Sequence, residues 1–256
     1  MDITPEFIKR VFNKSKIDPK YMDVLTNPEA LATYRIAFTS KTVDPDNNYE
    51  LLEYMGDVEA NAAVVWYFYE AYPQLRCTES INTLNRLKIV HVSSESFSQF
   101  ADDLGFWPHI MYNERVAAEK PPLKKSREAL LEDVFEAFVG ATQIILYNEF
   151  GLVGVCRQII YNFIKPLFEA KTISFAPEDL YDAKTRLKEL FEIRKNVPNR
   201  LLRSLARQGT WTRRLLLPAS YSGSLRTTRW CSTATGTASR SHIRSRHNRP
   251  SITSRV

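Results

Sequence analysis

From Pro5 to about Ala170 the apolar residues return every three or four positions, with few β-branched alternations. A chain patterned in that way buries its apolar stripes by packing helix on helix, so the expected class is all-α. Breaks at Asp44-Pro45-Asp46-Asn47-Asn48, Tyr72-Pro73, Trp107-Pro108 and Lys120-Pro121-Pro122 divide the run into separate helices, because proline disfavours helix at the residue before it. Residues 1–170 read as one domain and 171–181, with Ala176-Pro177-Glu178-Asp179, as a linker. Asp182 to Glu192 reads as one more amphipathic helix with Leu187, Leu190 and Phe191 on a face, and past Asn196 the periodicity fades into Arg, Ser and Thr.

Charge divides the 256 residues just as sharply. The formal net charge is +6, yet beyond Glu192 there is no Asp or Glu at all. Residues 193–256 hold thirteen Arg and one Lys, a charge of +14, while the rest carries 21 bases against 29 acids, a charge of −8. An acidic body thus carries a very basic tail. Cys77, Cys156 and Cys231 are odd in number and far apart, which suggests neither a disulfide framework nor a cysteine-rich zinc site. The N-terminus lacks a basic-then-apolar leader pattern, and the longest apolar run, Ala62 to Tyr69, is too short to span a bilayer. The expectation is a cytoplasmic protein, with the nucleus as the other setting, and no membrane partner.

The chemistry concentrates in two segments. In Glu50-Leu51-Leu52-Glu53-Tyr54-Met55-Gly56-Asp57, helical spacing puts Glu50, Glu53 and Asp57 on one narrow face, with Leu51, Leu52, Met55 and Val58 opposite, anchoring the helix in a core. Acids at such spacing ordinarily form a solvated face. Two details argue for more. Gly56 in mid-helix costs about 1 kcal/mol relative to Ala, which implies that a backbone or a ligand approaches closely there. The clustered like charges repel unless a cation joins them. The second segment, Leu130-Leu131-Glu132-Asp133-Val134-Phe135-Glu136-Ala137-Phe138-Val139-Gly140-Ala141, repeats the style with Asp133 and Glu136 on one face and Gly140 in a helical context. If the two helices cross, four carboxylates converge, and a hard divalent cation with oxygen ligands suits them.

The stretch Tyr49 to Asn61 resembles the signature of the ribonuclease III family, and Leu131 to Ala141 resembles that family's second acidic motif. Thr83-Leu84-Asn85-Arg86-Leu87-Lys88, Val92-Ser93 and Phe100-Ala101-Asp102-Asp103-Leu104-Gly105 resemble the intervening helices, so the likeness runs over roughly residues 20–192. It implies a ribonuclease III-type helical endonuclease domain in which Glu53, Asp57, Asp133 and Glu136 are catalytic and hold Mg2+, with Mn2+ as a substitute. It also implies hydrolysis of double-stranded RNA to 5′-phosphate and 3′-hydroxyl ends, Glu50 as an outer orienting acid, and a homodimer with Tyr54 at its interface. An ordinary core position is the other reading of Tyr54.

Two positions depart from the pattern. Glu59 falls about 180° from Glu50, where the family has an aliphatic residue, and must find a buried partner, reach solvent or reshape the packing. Tyr49 stands where the family has Asn directly before the first acid. His91, His109, His242 and His247 form no metal-ligand spacing, and Lys124-Lys125-Ser126-Arg127 reads as a solvated loop or a phosphate contact.

Asp182 to Leu190 resembles the opening helix of a double-stranded-RNA-binding domain, but nothing after about residue 196 continues it, so 182–256 reads as a degenerate or incomplete region of that kind. Its tail is either an Arg/Ser-rich segment that binds RNA by charge or the product of a shifted reading frame, the second being slightly preferred. Two other functions compete with the nuclease. One is a catalytically silent RNA-binding or scaffold relative. The other is a carboxylate-bridged metal oxidoreductase, disfavoured because neither helix carries a Glu-x-x-His pair.

Overall fold

A computed structural model describes residues 2–181 apart from 14 and 16. The proposed helix at Asp182–Glu192 and the basic tail lie outside the described residues. Within them the structure is helical apart from one isolated bridge between Thr39 and Met111, and no helix is long and apolar enough to cross a membrane.

Three short helices open the chain: α1 (Pro5–Val11), α2 (Pro19–Leu25) and α3 (Pro28–Ala37). Each starts on a small polar residue followed by proline. The side chains of Thr4, Asp18 and Asn27 accept from the first free N–H groups, and the prolines occupy the first position, where no N–H is needed. Next comes α4 (Glu50–Ala71), then α5 (Ile81–His91), α6 (Ser94–Asp103), α7 (Glu114–Glu119), α8 (Arg127–Phe150), α9 (Val153–Glu169) and the one-turn α10 (Pro177–Leu180). The expected proline breaks fall between elements: single 3-10 turns occupy Pro73–Leu75, Trp107–His109 and Pro121–Leu123. The Ser126 hydroxyl caps α8 by accepting from the Ala129 N–H at 3.2 Å, and Gly151 ends it in the left-handed conformation, φ 63°.

Helix α8 is the axis of the molecule, with α2, α3, α4, α6 and α9 packed around it. Phe138, fully buried, meets Phe12, Tyr34, Phe106 and Phe163 with ring centroids 4.9–5.5 Å apart. Each such ring contributes on the order of 2–3 kcal/mol by leaving water. The Tyr34 hydroxyl pairs with Thr142 Oγ1 at 2.9 Å, so the polar tip buried with its ring is satisfied. Segment 171–181, expected as a linker, lies against this body: Ile173 and Phe175 pack on the core, Leu180 and Tyr181 are buried, and Arg86 sits 4.5 Å over the Tyr181 ring.

The close approach expected at Gly56 is where α4 meets α8. A Cβ on Gly56 would lie 1.7 Å from the Glu136 carbonyl oxygen, and one on Gly140 2.0 Å from that of Leu52. The two backbones touch, and only glycine fits at either place.

One expectation about α4 is corrected. Leu52 is buried at 6% exposure, but Leu51 at 69%, Val58 at 52% and Met55 at 36% face outward instead of anchoring the helix. Helix α4 has two apolar faces. One, through Leu52, Gly56, Ala60, Ala63, Val64, Tyr67 and Phe68, lies on the core. The other, through Leu51, Tyr54, Met55, Val58, Val65, Trp66 and Tyr69, is exposed. At about 100° per residue the acids Glu53 and Asp57 sit along the edge of the buried face.

Candidate active site

The loop before α4 is tied to itself. Asp44 Oδ1 accepts from the Asp46 and Asn47 N–H groups, and Asn48 donates to the carbonyls of Asp44 and Pro45 while its Oδ1 accepts from the Glu50 N–H at 3.1 Å. Asn48 thus does the capping, and Tyr49 is left free to turn inward. The Tyr49 ring is buried and its hydroxyl donates to Asp133 Oδ2 at 2.9 Å across 84 residues of sequence.

Where α4 crosses α8, Glu53 and Asp57 from one helix and Glu136 from the other line a cleft of about 350 Å³, with Glu50, Tyr54 and Lys125 at its sides. Asp133, the fourth acid singled out by the sequence, sits behind them at 6% exposure. Its carboxylate is turned onto Tyr49 and onto Lys125, whose Nζ is 2.5 Å from Oδ2. Asp57 is held by Asn61 Nδ2, which donates to Oδ1 at 2.6 Å and to the Asp57 carbonyl at 2.9 Å. Glu50 faces outward to Lys41 at 2.9 Å, a half-exposed pair worth little to stability.

The electrostatics follow from that crowding. Burial, with the charges of Asp57, Glu132, Glu53 and Asp133 added, pushes the Glu136 carboxyl up to about 8. Burial and then Asp133 push Glu53 up to about 7, against the lowering effect of Lys125. Burial works against the Lys125 ammonium, but its hydrogen bond to Asp133 and the charges of Asp133, Glu53 and Glu50 outweigh that and raise its pKa. The cleft is short of positive charge, and its donors are all hard oxygens, the chemistry that suits Mg2+. As placed, no three of these acids, or of any histidine, cysteine, aspartate or glutamate among the described residues, stand close enough to share one ion. The donor set fits a divalent cation; its side chains have still to converge on one.

Three contributors went unrecognised in the sequence as parts of the site. Lys125 was legible only as part of a basic loop or as a phosphate contact, Tyr49 only as a departure from a pattern, and Glu132, which accepts from Ser94 Oγ at 2.7 Å, only as a neighbour of Asp133. The position of Lys125, eight residues before Asp133 and across a cap, was the one available signal. Arg127 of the same basic run is engaged elsewhere, paired with Asp102 at 2.6 Å and stacked 4.9 Å over Trp107. His91 and His109 are buried away from the cleft. Glu59 finds a buried partner: its Oε1 accepts from Gln143 Nε2 at 2.8 Å and its Oε2 from Arg157 Nε at 3.1 Å.

A model of the ribonuclease III domain matches residues 50–144, a span that begins with α4 and takes in the α8 acids. Two viral proteins that each bear the name "Putative ribonuclease 3" are similar to the chain. That of Frog virus 3 is 38% identical over 181 residues, covering 71% of this chain and 47% of its own length. That of Invertebrate iridescent virus 6 is 37% identical over 191 residues, covering 70% and 63%. Ribonuclease 3 of Lactobacillus acidophilus is 31% identical over 190 residues, covering 74% of this chain and 75% of that protein. The chain thus spans about half to just under two thirds of the two viral relatives and three quarters of the bacterial one.

Proposed function

The chain belongs to the ribonuclease III family, and we propose that it is an endoribonuclease that hydrolyses double-stranded RNA with the help of Mg2+, leaving 5′-phosphate and 3′-hydroxyl ends. The observation that carries this reading is the contact of α4 with α8 through Gly56 and Gly140, which puts Glu53, Asp57 and Glu136 in one cleft with Asp133 behind them. These four acids would hold the metal, and Mn2+, equally partial to oxygen donors, would substitute. Bound there, a divalent cation supplies a Lewis acid that lowers the pKa of water and neutralises charge building on a phosphodiester. The chain's own part is positioning: Asn61 fixes the rotamer of Asp57, Tyr49 that of Asp133, and the glycine contact fixes the separation of the two helices.

The exposed apolar face of α4, which includes Tyr54 at 70% exposure, supports a homodimer, since a contiguous apolar patch on a helix otherwise packed on its own core marks a protein interface. The core reading of Tyr54 does not hold. In such a dimer two clefts would face one duplex. The −8 body repels a polyanion, so RNA affinity would come largely from the +14 carried by residues 193–256, with the degenerate double-stranded-RNA-binding region beginning at about 182. The division into a catalytic domain at 1–170 and an RNA-gripping remainder, and a cytoplasmic or nuclear setting, belong to the same proposal.

Incubating a long RNA duplex with the protein and Mg2+, beside Glu136→Gln and Asp57→Asn, tests it. Cutting by the unmodified protein, with binding but no cutting by the variants, is the expected result. An intact duplex, or equal cutting by both variants, overturns the catalytic assignment.

A further inference from the structure

Asp133 cannot leave its place: its carboxylate is buried, and Tyr49 holds the same Oδ2 that Lys125 holds. Lys125 is differently built. Its backbone N–H is tied to the Tyr112 hydroxyl at 3.3 Å in the loop before α8, but its side chain is a third exposed and lies over the Tyr49 ring at 5.3 Å, lining the cleft. A flexible four-carbon stem anchored at the cleft's edge thus delivers one positive charge to Asp133, the buried acid of the four.

We propose that Lys125 is a tethered counter-ion that occupies the cation position on Asp133 in the metal-free protein and gives up that carboxylate when a divalent cation takes it. The proposal rests on the Mg2+ reading of the cleft. An ammonium 2.5 Å from Oδ2 and a dication on the same carboxylate would repel each other strongly at so short a separation, so each weakens the other's hold on Asp133. Lys125 then sets the Mg2+ concentration that the site requires and shields a buried carboxylate until the metal arrives.

Two measurements on the full 256-residue chain test this. In the first, Mg2+ and, in parallel, Mn2+ are titrated calorimetrically into the unmodified protein, Lys125→Met and Lys125→Arg. Lys125→Met should bind Mg2+ roughly tenfold more tightly, the least effect expected from removing a charge that close to a carboxylate, and Lys125→Arg should stay within about twofold of the original. In the second, a brief pulse of an amine-acylating reagent on the unmodified protein is read by mass spectrometry. Mg2+ should raise labelling of Lys125 several-fold relative to exposed Lys124, a change that a purely structural ion pair would not show. This measurement stands even if Lys125→Met does not fold. Mg2+ binding no tighter in Lys125→Met, or labelling of Lys125 unchanged or reduced by Mg2+, overturns the inference alone. Absence of Mg2+ and Mn2+ binding in every form overturns the metal reading and this inference with it.

Discussion

Gly56 and Gly140 face each other where α4 touches α8, so near that the Gly140 amide nitrogen would be 2.8 Å from a Cβ placed on Gly56. The carboxylates of both helices are spaced from that contact, so any group added there moves the acids as well as the fold. Gly56→Ala and Gly140→Ala should each cost at least roughly 3 kcal/mol, the upper part of the range for overpacking, because backbone rather than a side chain must yield. Thermal unfolding should fall by about 6–12 °C in a chain of this size. An unchanged melting temperature in either variant would show that the helices do not meet as described.

The raised pKa values of Glu136, about 8, and Glu53, about 7, make the metal-free protein sensitive to pH. Both groups hold a proton more firmly folded than unfolded, where a glutamate titrates near 4.5. Their contribution to stability is therefore fully present below pH 4.5 and is lost as pH rises through 7 to 8. Glu136→Gln should melt higher than the unmodified protein at pH 8.5 in the absence of metal and no higher at pH 4. Equal melting temperatures at pH 8.5 would show that the cleft is not electrostatically strained.

Glu59 is buried on the core face of α4 and is satisfied by Gln143 and Arg157, but Gln143 Oε1 is buried without a hydrogen-bond partner. Removing one member of such a group strands the others. Glu59→Leu should cost roughly 3 kcal/mol, and Gln143→Leu somewhat less because Arg157 remains. Glu59→Leu combined with Gln143→Leu leaves neither buried polar group and should recover most of the loss. Chemical denaturation of the four proteins closes the double-mutant cycle, and additive losses would refute the coupling.

The exposed apolar face of α4 yields a separate expectation. Val58→Asp, at 52% exposure and outside the hydrophobic core, should leave the helical content intact while converting a dimer to monomer in sedimentation analysis. Tyr54→Asp should do the same. A protein that is monomeric before either change, at tens of micromolar, would remove the dimer from the proposal.

Much of this molecule is written locally. The sequence by itself determined the helices, through their three- and four-residue period, their capping residues and their prolines. It also determined which acids share a face, since helical register is a property of neighbours. It even marked where two backbones touch, because glycine in mid-helix is costly unless something needs the room. Tertiary structure decided what period alone leaves open. Helix α4 carries two apolar faces, and only packing on α8 selects Leu52 over Leu51 for burial. Glu59 acquires partners 84 and 98 residues away. Lys125 and Tyr49 reach Asp133 from two different loops, because a side chain's reach through space has no counterpart in sequence spacing. The chemistry was therefore legible from single helices, and the cation that already sits on one of its acids was not.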